Sequence, residues 1–139
     1  MQKIEHLGIA VHNLAEAEKV YTKLLGAEPY KRESVKSESV NTSFFRTGPS
    51  KIELLESTDP DGPIAKFLAK RGEGIHHVAF EVTDIRAEMA RLASEGFRLL
   101  NQEPKRGADS KLVAFVHPKD SHGVLVELCQ SIDKSAEDT

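Results

Sequence analysis

The chain has 139 residues, 39% of them hydrophobic and 29% charged, with 19 lysines and arginines against 22 acids for a formal net charge of −3. That is the length and composition of one ordinary globular domain, or of two very small ones. The near-neutral balance excludes a basic nucleic-acid binder, no apolar run approaches the roughly 20 residues of a membrane span, and a single cysteine, Cys129, excludes an internal disulfide and points to a reducing cytoplasm.

The opening residues, Met1-Gln2-Lys3-Ile4-Glu5-His6, carry charge and lack the apolar core of a secretory signal. Residues 4–11 then alternate as a strand, with Leu7, Ile9 and Val11 on one face and His6, Gly8 and Ala10 on the other. Asn13 reads as a helix N-cap, with Glu16 three residues on as the second half of a capping box. Leu14, Ala17, Val20, Tyr21, Leu24 and Leu25 follow at helical spacing, and Gly26 suits the position after the helix end. Strands are expected near 28–34, 40–46 and 51–56, the last with Ile52 and Leu54 on its apolar face and Glu53 on the other. PIAKFLAK (63–70), with proline at its first helical position and Gly72 just beyond, reads as a short linking helix.

The pattern then starts again. IEHLGIAVHNL (4–14) aligns with IHHVAFEVTDI (75–85), placing His6 on His77, Val11 on Val82 and Asn13 on Asp84 at a constant offset of 71. Phe44 and Phe115 keep that offset, whereas KIELL and LVELC align Glu53 with Glu127 at an offset of 74. The extra residues fit the turn HPKDSHG (117–123), which is longer than its counterpart TGPS (47–50). In the second copy Val78, Phe80 and Val82 oppose His77, Ala79 and Glu81, and Asp84 caps a helix bearing Ile85, Met89 and Leu92 that stops near Gly96. Strands are expected near 97–102, 111–117 and 124–130.

A unit of roughly 65 residues buries too little surface to stand comfortably alone. The expectation is therefore an α+β fold with two tandem βαβββ modules, about 4–62 and about 75–130. A linking helix at about 63–71 joins them, and a polar tail, 131–139, is expected to fray. Together the modules should form a curved, mainly antiparallel eight-stranded sheet around one cleft, with helices on the convex face.

The alternation turns His6, Glu53, His77 and Glu127 toward the same side. Histidine and glutamate lie 47 residues apart in the first copy and 50 in the second. Two imidazoles and two carboxylates suit one divalent first-row ion (Co, Mn, Ni, Fe or Zn), balance its charge, and leave positions open for Lewis-acid chemistry. A strand glutamate is ordinarily solvated and a lone histidine ordinarily structural; the two-fold repetition of the set favours a metal site. His12, His76, His117 and His122 have no histidine counterparts and read as loop or supporting residues, and Cys129 as a packed thiol.

Paired βαβββ modules with a His/Glu…His/Glu set resemble the vicinal-oxygen-chelate (glyoxalase/bleomycin resistance/dioxygenase) superfamily. Within it the runs HLGIAV, KIELLE, PIAKFLAKRGEGIHHVAFEV, EPKRGA and HPKDSHGVLVELC resemble the methylmalonyl-CoA epimerase family, from His6 to Cys129. The resemblance implies an isomerase with His6, Glu53, His77 and Glu127 as metal ligands and Glu127 as a catalytic base. It implies interconversion of (2R)- and (2S)-methylmalonyl-CoA through a metal-stabilised enolate, an acyl-CoA partner and a homodimer. Some family members carry a second acid about where Asn41 lies; Glu38, three residues earlier, is a candidate substitute if its loop folds inward, with a lysine, a water or an ordinary solvated loop acid as the alternatives. Lys105, Arg106, Lys111 and Lys119 are candidates for the coenzyme A phosphates, with an ordinary solvated face as the alternative. A glyoxalase I type lyase and a metal-free small-molecule-binding protein of the same fold are the competing readings.

Overall fold

The computed structural model describes residues 1–132. Of the tail 131–139 expected to fray, Ser131 ends the last strand and the Ile132 amide donates to the Ser110 carbonyl at 3.0 Å, while residues 133–139 lie outside the described residues. The strands are β1 (Lys3–Ala10), β2 (Lys31–Val35), β3 (Val40–Thr47), β4 (Ser50–Ser57), β5 (Gly74–Glu81), β6 (Lys105–Gly107), β7 (Lys111–Val116) and β8 (Val126–Ser131), and the helices α1 (Leu14–Leu25), α2 (Pro63–Arg71) and α3 (Ile85–Ser94). The order βαβββ thus occurs twice, with α2 between the copies. Hydrogen bonding arranges one eight-stranded sheet in the order β2-β3-β4-β1-β5-β8-β7-β6. It is mixed: β1 runs parallel to β4 and β5 parallel to β8, and the pairs β2–β3, β3–β4, β6–β7 and β7–β8 are antiparallel. No helix among the described residues is long and apolar enough to cross a membrane.

By contact the chain divides into two compact units, His6–His77 and Met1–Glu5 together with the chain from Val78 on. In the first, Val11, Leu14, Phe45 and Leu54 form a core against α1, joined by Ile9, Ala17, Tyr21, Leu25 and Ile52. The apolar stripe of α1 is narrower than the sequence predicts, because Val20 and Leu24 are exposed and a buried acid takes part instead. Glu18 accepts from Arg32 and from the Ser43 hydroxyl, at 2.7 Å for the latter. Its partners answer the charge, so its burial costs little. The expected linking helix packs on the opposite sheet face, where Ile64, Phe67 and Leu68 of α2 meet Ala10, Val40 and Leu55. In the second unit, Val82, Ile85, Met89, Leu92, Ala114, Val116 and Leu128 pack α3 on one side of β7 and β8. Ala79, Val113, Cys129 and Phe115 pack on the other.

Two local expectations change. Residues 97–102 contribute only an isolated bridge between Leu99 and Val116, and the strand of that region is the shorter Lys105–Gly107. Asn13 does cap α1, accepting from the Glu16 amide, but the Glu16 carboxylate turns outward to Lys19. The second orphan donor of α1 is met from further away, as the Leu14 amide donates to Glu56 at 2.8 Å. The second copy repeats this arrangement. Asp84 accepts from the Ala87 amide, and the Ile85 amide donates to Gln130 at 2.8 Å. Glu56 and Gln130 each sit three residues after a candidate ligand, a further repeat at offset 74 that the sequence comparison missed.

Candidate functional site

Strand register tests the repeat residue by residue. Glu53 on β4 lies beside Gly8 of β1, two residues after His6, and opposite Phe44 of β3. Glu127 on β8 lies beside Ala79 of β5, two residues after His77, and opposite Phe115 of β7. The two ladders match position for position although the sequence gaps differ by three. All four candidate ligands are buried, at 3% (His6), 4% (Glu53), 6% (His77) and 6% (Glu127) exposure. That removes the reading of the two glutamates as an ordinary solvated strand face.

Within the first unit three of the four side chains form a chain, with His6 between Glu53 and His77. His6 Nδ1 is 3.1 Å from Glu53 Oε2, and His6 Nε2 is 3.0 Å from His77 Nε2, with the two rings perpendicular. Gly8 makes room for this. A Cβ built there would lie 2.1 Å from His77 Cε1, so the His77 ring occupies the space that any other residue would fill. On its far side, His77 Nδ1 is 3.0 Å from His76 Nδ1, and Phe67 of α2 packs against the His76 ring at a centroid distance of 5.0 Å. Burial first, then the neighbouring His6 and His76 rings, hold His77 well below the ordinary histidine value of 6.5. Burial lowers His76 too, against the opposing charge of Glu38. A histidine kept neutral keeps a lone pair for a cation.

The two buried imidazoles, Nε2 to Nε2 in a cradle that only glycine permits, fit as donors to a divalent first-row ion, while the Glu53 carboxylate meets the opposite nitrogen of His6, Nδ1. Glu127 belongs to the other unit. There it shares a strand face with Cys129, whose buried thiol contacts the Phe80 carbonyl at 3.6 Å and packs with Ala79 and Val113, as expected of a packed cysteine.

The other named residues separate. Asn41 opposes Glu56, on the face away from Glu53; the residue of β3 that shares the side of Glu53 is Thr42, opposite Leu55. Thr42 is fully buried, and its hydroxyl has no hydrogen-bond partner among the described residues. Glu38 lies half-buried in a 3-10 turn, Lys36–Glu38, just before β3. Lys111 does not belong with the surface cations, being buried with its ammonium 2.7 Å from Ser131 Oγ and 3.9 Å from Glu5. Lys105, Arg106 and Lys119 are exposed. His12 precedes α1, while His117 and His122 flank the 3-10 turn Pro118–Ser121; His76 is the one of the four extra histidines found against His77.

Comparison with known proteins gives the family. The family described as the Glyoxalase/Bleomycin resistance protein/Dioxygenase superfamily matches residues 5–115. The ethylmalonyl-CoA/methylmalonyl-CoA epimerase of Cereibacter sphaeroides is 43% identical, over 92% of this chain and 97% of its own. The mitochondrial methylmalonyl-CoA epimerase of Homo sapiens is 40% identical, over 93% of this chain and 74% of its own. A solved variant of the Streptomyces coelicolor methylmalonyl-CoA epimerase, in complex with 2-nitronate-propionyl-CoA, superposes with a TM-score of 0.90 at 37% identity, covering 96% of this chain and 99% of that one.

Proposed function

The chain belongs to the methylmalonyl-CoA epimerase family of the glyoxalase/bleomycin resistance protein/dioxygenase superfamily, and we propose that it is itself an isomerase that inverts the α-carbon of methylmalonyl-CoA with the help of one divalent cation. The observation that carries the reading is the buried pair of His6 and His77, which face each other through Nε2, beside Glu53, which we assign as a third ligand and which lies against His6 Nδ1. We assign Glu127 as the fourth ligand because its register beside Ala79 and Phe115 reproduces that of Glu53 beside Gly8 and Phe44. A cation bound there supplies Lewis-acid stabilisation of the negative charge that develops on the thioester oxygen.

The protein residues do the rest. Epimerisation removes the proton α to the thioester and returns one to the opposite face, so a base is needed on each side of a planar enolate. Glu127 is our base for one face. For the other we assign Glu38, whose carboxylate lies near enough to His76 for its charge to act on that ring. Burial of the ligand set excludes bulk water and strengthens each electrostatic contact made within it. The exposed Lys105, Arg106 and Lys119 are assigned to the coenzyme A phosphates, and Lys111 is removed from that set by its burial. We assign the cytoplasm on the single buried cysteine and a homodimer on the family resemblance.

The test follows the α-hydrogen in deuterium oxide, with each stereoisomer supplied separately. The parent exchanges and inverts both. Glu127→Gln should lose inversion by about 100-fold or more, and should lose exchange from one stereoisomer selectively. Unchanged exchange from both in that variant overturns the assignment of Glu127 as base. Activity on the methylglyoxal–glutathione adduct with none on methylmalonyl-CoA overturns the substrate reading and favours a glyoxalase I type lyase.

A further inference from the structure

His76 has no histidine counterpart in the first copy, where the equivalent position is Glu5, and the reading above gives it no task. Its placement is nevertheless specific. Its Nδ1 lies 3.0 Å from His77 Nδ1, and the two rings stand at 90° with centroids 5.2 Å apart. The edge-on contact with Phe67 holds the His76 ring from the side of α2.

Two imidazole nitrogens at this distance share one hydrogen, which must sit on one of them. If His77 Nδ1 carries it, the lone pair of His77 is on Nε2, the atom that faces His6 Nε2 at 3.0 Å. That is the form able to bind a cation beside His6. If His76 Nδ1 carries it instead, neutral His77 holds its hydrogen on Nε2 and is closed to the ion.

We propose that His76 is a positioning residue that accepts a hydrogen bond from His77 Nδ1 and so presents the His77 Nε2 lone pair to the cation. The inference rests on the metal site proposed above. A ligand histidine with its second nitrogen bonded is fixed in both orientation and tautomer, and losing such a partner typically weakens metal binding about 10- to 100-fold. His77 has that partner in its immediate sequence neighbour, and Phe67 braces the neighbour in turn, so α2 bears on the site through His76.

The experiment titrates zinc into the full-length metal-free protein against a chromophoric chelator. It compares the parent with His76→Phe, which keeps a ring against Phe67 but offers no acceptor, and His76→Asn, whose amide oxygen can replace Nδ1. Zinc affinity should fall about 10-fold or more in His76→Phe and recover in His76→Asn. Nitrogen-15 spectra of the zinc-loaded parent should show the His77 hydrogen on Nδ1, a readout that remains if His76→Phe does not fold. Parent-like affinity in His76→Phe, or a zinc-loaded His77 with its hydrogen on Nε2, overturns the inference while leaving the metal site standing. A parent that binds no zinc overturns the metal site itself, and this inference with it.

Discussion

Two single positions carry unusual weight. At position 8 the His77 ring occupies the volume of a side chain, and a Cβ 2.1 Å from Cε1 cannot be absorbed by a slight shift. Gly8→Ala must push His77 away from His6. Metal affinity should drop by about 10-fold or more, as for loss of an orienting contact, and ligand-free stability by about 1–3 kcal/mol from overpacking. Competition titration and thermal melting measure the two, and parent-like metal binding would contradict the cradle. At position 42 the sign reverses. A fully buried hydroxyl without a partner among the described residues costs free energy, and valine has nearly its shape. Thr42→Val should therefore raise the melting temperature, by about 2–5 °C, where most buried substitutions lower it. A fall in the melting temperature would show that the hydroxyl contributes to stability. Neither feature was legible in the sequence. Gly8 read as an ordinary position of an alternating strand, and the third-strand position facing the site was assigned to Asn41, one residue off, which in a strand is the opposite face.

The elements were more legible because their signals are local. Asn13 and Asp84 announce the starts of α1 and α3, Pro63 that of α2, and alternation gives β1, β4, β5 and β8, on which His6, Glu53, His77 and Glu127 are all buried. Reading failed where several strands and a turn compete. Residues 97–102 carry apolar side chains that pack or bridge without forming a strand, since Leu99 meets Val116 at one bridge only. The caps lend themselves to test. Each of α1 and α3 has one cap from its own N-terminal residue and one from a strand side chain, Glu56 or Gln130. Asn13→Ala and Asp84→Ala should each cost about 1 kcal/mol in chemical denaturation, and the sum should be additive because the caps share no partner. A loss well above that for either would mean that the strand-borne cap depends on the first.

For the molecule as a whole, burial of neutral histidines sets the acid limit. Folded His77 lies well below 6.5 and His76 is lowered too, so below 6.5 the unfolded chain takes up protons that the folded chain refuses. Stability of the metal-free protein is then fully present above that value and falls as the pH drops beneath it. The depressed carboxyls act elsewhere: Asp120, held at about 2 by Arg98, and Glu88, lowered by Arg91, lose their contribution as acid approaches their own values, mostly beneath the histidine window. Melting temperatures in chelator between about pH 8 and about pH 5 should decline, and less steeply in His77→Asn; a flat parent profile would contradict the buried neutral histidines. The duplication was visible at this scale because identical offsets recur, and it located four buried residues that single-site reading would have left on the surface. The three additional residues of the second half are absorbed near the 3-10 turn Pro118–Ser121, while Phe115 still faces Glu127 as Phe44 faces Glu53. What descended intact through the doubling is thus a rung of the ladder and not a count of letters. A database pattern written with fixed gaps between histidine and glutamate would reject one half of this protein on the strength of the other, whereas one written in paired rungs would find both.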